Sequence, residues 1–442
     1  MKKVITYGTF DLFHEGHLNL LKQAKLLGDY LIVGITSDYF DKCRGKYNVH
    51  DSLMTRISNV QETGLADEIV IEEYFGQKID DIKKYGIDIF TVGSDWVGYF
   101  DYLREYCEVI YSKRTKGISS TQIRNTHSLK LGIIGGEKIV DRFLSEVSFI
   151  SGVSITGVYY AGPVSSEKCK ELYEYNSLNE FFSQSDAVYV NVPLKYRYKH
   201  IKESLLNGKH VLTEFPFSNN YDNAKELIEL ANARNLVLME GLKTAYCPAF
   251  TKMISLVKSG VIGNILNIEA RFTQVLEDDL FNEQTRISGG SIESLVSYPL
   301  LIVFKLLGIN YEDISFTSHF ENNIDIFTKI DLRYSNSIAS ATVAIKAKAE
   351  SNLIIAGTKG YIYVPAPWWK TEFFEVCYEN INNNNNKYFY KFEGEGLRYE
   401  LVEFIRTIQT NSVQNNLLNY NEMLAETKVI DLFLSNYNVK KF

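Results

Sequence analysis

Two histidines three residues apart, His14 and His17, carry the strongest chemical signal in the chain. They stand in Gly8-Thr9-Phe10-Asp11-Leu12-Phe13-His14-Glu15-Gly16-His17. The apolar run Val4–Tyr7 precedes them and predicts a buried strand, and the amphipathic stretch Leu18 to Leu27 predicts a helix. Between the two, Gly8 predicts a tight turn. Residues three apart share one helix face, so the two imidazoles are expected to point the same way. A helix start also offers unpaired N–H groups and a partial positive charge, which suits a phosphate. Thr9 and Phe10, beside the turn, are candidate nucleotide-binding residues. Asp11 is open to two readings, as the helix N-cap or as part of a ligand site.

Paired imidazoles at a phosphate suggest transfer at phosphorus, where positioning and charge neutralisation carry most of the catalysis. A nucleophile attacks the α-phosphorus of a nucleoside triphosphate and pyrophosphate leaves. Such a site needs cations for the β- and γ-oxygens, and Mg²⁺ screens the triphosphate. Candidates are Arg44 and Lys46 in Lys42-Cys43-Arg44-Gly45-Lys46, Arg56 at a predicted helix start, and Arg114. Arg114 opens Arg114-Thr115-Lys116-Gly117-Ile118-Ser119-Ser120-Thr121, a second loop-to-helix start with hydroxyl caps. His50 and His127 fit no motif and read as surface or loop residues.

These residues must be held by a scaffold. Over 1–127 short apolar strands (Val4–Tyr7, Tyr30–Ile35, Glu68–Ile71, Ile87–Val92, Val109–Tyr111) alternate with helical stretches, which predicts a parallel sheet covered on both faces. Ligands of such sheets bind beyond the carboxyl ends of the strands. A second alternating unit starts at Leu129 and runs to 250, with strands at Ser154–Tyr159, Ala187–Val192, His210–Thr213 and Leu236–Met239. From 251 to 442 longer strands (Ile265–Thr273, Ile326–Tyr334, Ser337–Lys346, Leu353–Ala356, Tyr361–Val364) predict an open, mostly antiparallel sheet, closed by helices at Arg398–Thr410 and Asn421–Leu434. The fold class is therefore α/β, with two Rossmann-like domains followed by an α+β domain.

Composition narrows the function. The chain has 442 residues and a net charge of -7, so it lacks the basic excess of a general nucleic-acid binder. No apolar run approaches the ~20 residues of a membrane span, and Met1-Lys2-Lys3 leads straight into a strand without a signal-peptide pattern. Five scattered cysteines form neither a disulfide framework nor a metal motif, and no metal site is expected. A cytoplasmic location is the expectation. The asparagine run at 382–386 reads as a loop tip.

The first 127 residues resemble the HxGH nucleotidyltransferases, and among them the glycerol-3-phosphate cytidylyltransferases. The resemblance rests on Gly8–Leu12 with His14-Glu15-Gly16-His17, Asp38, Arg56, Val92-Gly93-Ser94-Asp95-Trp96 and the block from Arg114 to Thr121. It implies CTP as the nucleotide, with Asp95 and Trp96 helping to form its pocket and Arg114, Thr115, Gly117, Ile118, Ser119, Ser120 and Thr121 holding the triphosphate. Trp96 could alternatively be core. Arg44 stands where the family usually has lysine, which keeps the charge and changes the geometry. The acceptor is expected to be a small phosphorylated polyol, giving a CDP-alditol for a teichoic acid or capsule. Amino-alcohol phosphates are the other acceptors of this family.

Residues 129–442 resemble the Gfo/Idh/MocA oxidoreductases, through Leu131-Gly132-Ile133-Ile134-Gly135-Gly136, Asp186–Pro193, Gly208–Pro216 and Gly357-Thr358-Lys359-Gly360. The resemblance implies NAD(P)H, with Gly132, Gly135, Gly136, Pro193 and Glu214 as contacts. Several motifs depart from it. Glu137 replaces the second glycine of the fingerprint, where it adds bulk and repels a pyrophosphate. Tyr160 stands where an acid would bind ribose, Phe215 replaces the catalytic lysine of Glu-Lys-Pro, and Ser294 and Tyr298 occupy the later acid and histidine positions. Tyr298 and Lys243 are either replacement proton donors or structural and surface residues. Two alternatives therefore stand beside a lone transferase: a bifunctional enzyme that also reduces a sugar or sugar phosphate, and a non-catalytic dimerisation or binding module in a homodimer.

Overall fold

The computed structural model describes the chain except residues 44, 45, 47, 48, 75, 114–127, 151, 163, 164, 278–280, 282–288, 381–384, 391, 393 and 411, and describes the backbone alone at 42 and 43. The chain divides into two compact units, Met1–Ser128 and Leu129–Phe442.

Among the described residues the first unit is built on one sheet of five parallel strands, ordered β3-β2-β1-β4-β5. The elements are β1 (Lys3–Gly8), α1 (Glu15–Lys25), β2 (Tyr30–Thr36), α2 (Asp38–Cys43), α3 (Leu53–Glu62), β3 (Glu68–Glu72), α4 (Gln77–Tyr85), β4 (Ile89–Gly93) and β5 (Glu108–Ser112). Alternation along β1 sends Ile5 and Tyr7 into one core with Phe90, Phe100 and Leu103, and Val4 into the other with Phe10, Leu21, Val33 and Val60. Helix α1 is stabilised by Glu15 in its first turn and Lys22 and Lys25 in its last. Ser52 caps α3 by accepting from Thr55 N–H at 3.2 Å. Neighbours β1 and β4 are not consecutive in the chain, so the switch point of the sheet lies at the carboxyl end of β1.

Two local expectations change. The chain reverses after β1 through Phe10 (φ 55°) and Leu12 (φ 47°), not through a left-handed Gly8. Gly8 is needed for space, since a Cβ there would meet the Phe10 ring at 2.9 Å. His14 is extended (φ −139°, ψ 172°) and precedes the first helical residue, Glu15.

The second unit opens with β6 (Leu129–Gly135), α5 (Ile139–Val147), β7 (Val153–Tyr159), α6 (Leu178–Ser183), β8 (Ala187–Asn191), α7 (Leu194–Leu206), β9 (His210–Thr213), α8 (Tyr221–Ala233), β10 (Leu238–Glu240) and α9 (Lys243–Tyr246). Its described strands form a parallel sheet ordered β10-β9-β8-β6-β7. Helix α10 (Pro248–Lys258) follows, and the expected division at 250/251 falls inside it. Then come β11 (Ile265–Thr273), α11 (Ser291–Leu295), α12 (Ser297–Leu307), β12 (Asp313–Glu321), β13 (Ile324–Arg333), β14 (Ile338–Ala344), β15 (Leu353–Gly357), β16 (Gly360–Val364), β17 (Phe373–Tyr378), β18 (Asn386–Phe389), α13 (Leu397–Gln409), α14 (Tyr420–Leu434) and β19 (Val439–Lys441).

The described strands from β11 onward make one mixed sheet, β18-β17-β16-β15-β11-β14-β13-β12-β19. It is mostly antiparallel, with parallel pairings at β11–β14 and β12–β19. Strands β12, β17, β18 and β19 were not expected from the pattern. Asn386 lies in β18 rather than at a loop tip, and 382–384 lie outside the described residues. Asn419 and Glu422 form a reciprocal capping box at the start of α14.

Candidate active site and a second cavity

The first candidate site lies at the carboxyl edge of the five-stranded sheet. His14 and His17 stack with ring centroids 3.9 Å apart and planes 15° from parallel. The pairing arises because the His14 carbonyl accepts from His17 N–H at 2.9 Å, so the cap position and the third helical residue lie together. Phe10 and Phe13 brace the His17 ring at 5.4 and 5.6 Å. Asp11 does not cap α1. It is buried, and its Oδ1 accepts from the backbone N–H groups of His50 and Asp51 at 2.9 and 2.8 Å, tying the loop to the start of α3. His50 is exposed and pairs with Asp51.

Thr9 links the loop to a cation. Its hydroxyl donates to Asp41 Oδ1 at 2.9 Å and accepts from Lys46 Nζ at 2.9 Å. Lys46 is thus held beside the end of β1. Arg56 behaves differently from a phosphate ligand. Its side chain is fully buried. Its guanidinium donates to the carbonyls of Thr9 and Thr36 at 2.8 Å each and of Asp51 at 3.1 Å. It also pairs with Asp41 at 3.4 Å and with Asp38. Arg56 therefore fastens the ends of β1 and β2 to α3 and is not presented to a ligand. Asp95 and Trp96 lie in the short 3-10 turn Ser94–Trp96 after β4, and both are exposed. Trp96 is 39% exposed, so it is not a core residue, and it packs on Tyr99 and Phe100. Arg44, Arg114, Thr115, Gly117, Ile118, Ser119, Ser120, Thr121 and His127 lie outside the described residues.

One group at the same edge was not singled out from the pattern. Lys78, near the start of α4, is buried, pairs with Glu72 at the end of β3, and sits 4.5 Å from the centroid of the Tyr7 ring. Tyr7 donates to Asp81 Oδ2 at 2.7 Å, and burial followed by that carboxylate pushes its hydroxyl pKa well up. The strand-end rule alone could have drawn attention to Lys78, because it follows β3.

In the second unit a cavity of about 420 Å³ opens at the carboxyl ends of the parallel strands. Lys138 and Arg142 line it, as do Glu137, Glu214, Phe215 and Tyr298. The glycine turn keeps its crossing. Gly135 has φ +120°, and a Cβ there would lie 1.6 Å from the Asn191 carbonyl oxygen. Gly132 is packed too tightly against Phe181 for any side chain. Pro193 stands at the N-cap position of α7 and is buried. Glu214 accepts from the Tyr189 hydroxyl, and burial raises its pKa. Glu137 sits where the second glycine would be and is buried, with its N–H spent on Asn191 Oδ1 at 3.2 Å. Tyr160 turns its hydroxyl to the Cys169 carbonyl at 3.0 Å. Glu137 and Tyr160 therefore do not offer the usual contacts to the pyrophosphate and ribose of a dinucleotide.

Phe215 and Tyr298 meet edge to face at 5.0 Å. Lys243 is not a surface residue. It follows β10, lines the cavity and has its pKa lowered by burial.

Residues 5–126 match the cytidylyltransferase-like family. The chain is 55% identical over 124 residues to the glycerol-3-phosphate cytidylyltransferase of Bacillus spizizenii, covering 28% of this chain and 95% of that protein.

The chain belongs to the cytidylyltransferase-like family.

The glycerol-3-phosphate cytidylyltransferase of Staphylococcus aureus is 45% identical over the same length, with 93% of that protein covered. The cytidylyltransferase-like domain is followed by Gfo/Idh/MocA domains. Residues 129–242 match the oxidoreductase family with the NAD-binding Rossmann fold, and 250–363 match the GFO/IDH/MocA C-terminal domain. A scyllo-inositol 2-dehydrogenase (NADP(+)) of Bacillus subtilis is 24% identical over 324 residues, 69% of this chain and 95% of that protein. A 3-ketoreductase from Actinomadura kijaniata, solved with NADP and TDP-benzene, superposes with a TM-score of 0.63 at 18% identity, covering 71% of this chain and 99% of that one. At that identity the likeness is one of fold.

Proposed function

We propose that the first unit transfers CMP from CTP to an alditol phosphate of the glycerol phosphate type. A phosphate oxygen of the acceptor attacks the α-phosphorus. The bond to the β-phosphate oxygen breaks, and pyrophosphate leaves with the electron pair. The acceptor oxygen is already anionic, so no general base is required. His14 and His17 donate to the α-phosphate oxygens as charge grows there. Lys46, Arg44 and Arg114 hold the phosphates, with Thr115, Gly117, Ile118, Ser119, Ser120 and Thr121 as the second phosphate-binding turn. Asp95 and Trp96 border the nucleotide, and Thr9 and Phe10 shape the floor. Mg²⁺ is assigned to the triphosphate of CTP, whose charge it screens.

The observation that carries the reading is the stacked pair His14–His17 at the carboxyl end of β1, in a domain 55% identical to a glycerol-3-phosphate cytidylyltransferase. The product is then an activated precursor of a teichoic acid or capsular polymer, made in the cytoplasm. No helix among the described residues is long and apolar enough to cross a membrane. The test is pyrophosphate release from CTP against a panel of polyol, amino-alcohol and sugar phosphates. Equal turnover with choline or ethanolamine phosphate would remove the alditol assignment.

A second reading concerns the Gfo/Idh/MocA half, divided as 129–250 and 251–442. Its family and the cavity at its strand ends favour a reductase acting on a sugar or sugar phosphate with NAD(P)H. Glu137 and Phe215 favour a binding or dimerisation module in a homodimer. Fluorescence titration with NADPH and NADH separates them, since saturable binding selects the reductase.

A further inference from the structure

Asp41, in α2, is 0% exposed and belongs to no motif read from the sequence. Its Oδ1 accepts from the Thr9 hydroxyl at 2.9 Å, and its Oδ2 pairs with the Arg56 guanidinium at 3.4 Å. The Thr9 hydroxyl in turn accepts from Lys46 Nζ at 2.9 Å. Asp41 also reaches Lys46 along the backbone, where its carbonyl accepts from Lys46 N–H at 2.8 Å. Lys46 is therefore tethered to Asp41 by the main chain and again through Thr9.

The direction of these bonds matters. A hydroxyl has one proton and two lone pairs. With the proton committed to a buried carboxylate, the lone pairs of Thr9 suit an ammonium. Thr9 is itself buried, whereas Lys46 is an exposed residue. A surface lysine samples many rotamers, and a buried, oriented acceptor narrows them to those that bring Nζ to the end of β1. The guanidinium of Arg56 lies against Asp41 and Asp38 and offsets their charge. Asp41 thus orients Lys46 through a hydroxyl while Arg56 balances the carboxylate, so the ammonium keeps its field for a phosphate. The far end of the same segment is fixed to the same loop. Asp11 Oδ1 accepts from the N–H groups of His50 and Asp51, and Asp51 Oδ2 accepts from Leu12 N–H at 2.9 Å. Residues 41 and 50–51 are both fastened to 9–12, the stretch that leads into His14, so Lys46 and the imidazole pair share one frame.

We propose that Asp41 is a positioning residue for CMP transfer: acting through Thr9, it sets the Lys46 ammonium in place for the phosphates of CTP. The inference rests on the transferase reading and deepens it, by giving a role to a residue with no exposed surface.

The experiment is calorimetric titration of the full-length protein with CTP and Mg²⁺, run as a double-mutant cycle. Asp41→Ala should weaken CTP binding by about tenfold or more, the loss of an oriented bond to a charged donor. Asp41→Asn keeps an oxygen that accepts from Thr9 and should stay within about threefold of wild type, whereas a residue needed only as the counter-charge of Arg56 would lose as much with Asn as with Ala. In a Lys46→Met background Asp41→Ala should add less than about twofold, because its effect passes through the missing ammonium, while a general structural defect would add its full loss again. Each variant is first shown to be folded by circular dichroism. Where Asp41→Ala is not, Thr9→Val cuts the relay at the hydroxyl, leaves Asp41 paired with Arg56, and takes its place in the cycle. Three results would overturn the proposal: CTP affinity unchanged in a folded Asp41→Ala or Thr9→Val, Asp41→Asn as weak as Asp41→Ala, or losses that add in full to that of Lys46→Met. Pyrophosphate release with glycerol 3-phosphate, read on the same preparation, reports the transferase reading separately. A wild type that binds CTP without turning over would fault that reading and leave the relay, measured by binding, standing.

Discussion

Arg56→Lys separates an anchor from a ligand. The guanidinium reaches three backbone carbonyls, at 2.8, 2.8 and 3.1 Å, and two carboxylates, with no solvent exposure. A lysine keeps the charge but has one nitrogen and no planar fork. It can serve Asp41 and one neighbouring carbonyl, which leaves two carbonyl contacts unmade. Hydrogen bonds from a charged donor are worth about 1.5–3 kcal/mol each, so the first unit should lose roughly 3–6 kcal/mol. The released carbonyls include Thr9, which heads the loop to His14, and a displacement of about 1 Å at a reacting group can cost on the order of 100-fold in rate. Urea unfolding of the full chain, with exchange protection followed in 1–25, measures the stability. Pyrophosphate release measures kcat and KM for CTP. Stability and kcat should fall together. A variant with stability within about 0.5 kcal/mol of wild type and only KM for CTP raised tenfold would return the guanidinium to the nucleotide and refute the anchoring argument.

Other perturbations test other parts of the molecule. His17→Ala should abolish CTP turnover while circular dichroism stays native, and near-normal turnover would displace the central assignment. Glu426 is buried against Ser297, and burial raises its pKa from an ordinary 4.5 to about 7. The folded state therefore holds a proton that the unfolded state releases, so stability falls as pH rises from 4.5 to 7 and is level beyond. Glu426→Gln should remove that loss, worth about 3 kcal/mol at pH 8 (about 1.36 kcal/mol per pH unit), as a raised thermal midpoint at pH 8 and little change at pH 4.5. Gly135→Ala would drive a methyl group into the Asn191 carbonyl at 1.6 Å and should destabilise the second unit, read as lost exchange protection in 129–240 with CTP turnover as the control.

Much of the first site was legible because its signals are local. A strand, a reversal and a helix start lie within twenty residues, and the spacing of His14 and His17 survives the finding that His14 lies just outside the helix. The roles that went astray belong to residues whose partners are distant in sequence. Asp11 reads equally as a cap or as part of a ligand site, yet its Oδ1 serves His50 and Asp51, about forty residues away. Arg56 reads as a cation for a phosphate, yet its partners run from Thr9 to Asp51. Lys78 gave no motif, and only the adjacency of β3, β2 and β1 sets it at the edge shared by Glu72 and Tyr7.

In the second unit the sequence by itself determined the parallel Rossmann-like sheet and the loss of the usual residues at 137, 215 and 298, because periodicity and motif spacing are properties of neighbouring residues. Parallel pairing of β11 with β14 joins strands some seventy residues apart, and β17 and the edge strands β18 and β19 are short segments whose alternation is too brief to register. Only the tertiary structure decided that Lys243 and Glu400, more than 150 residues apart in the chain, are buried close enough for the carboxylate to act on the amine. A charge buried next to another has an energy set by distance and desolvation, and neither quantity is written in the order of the residues.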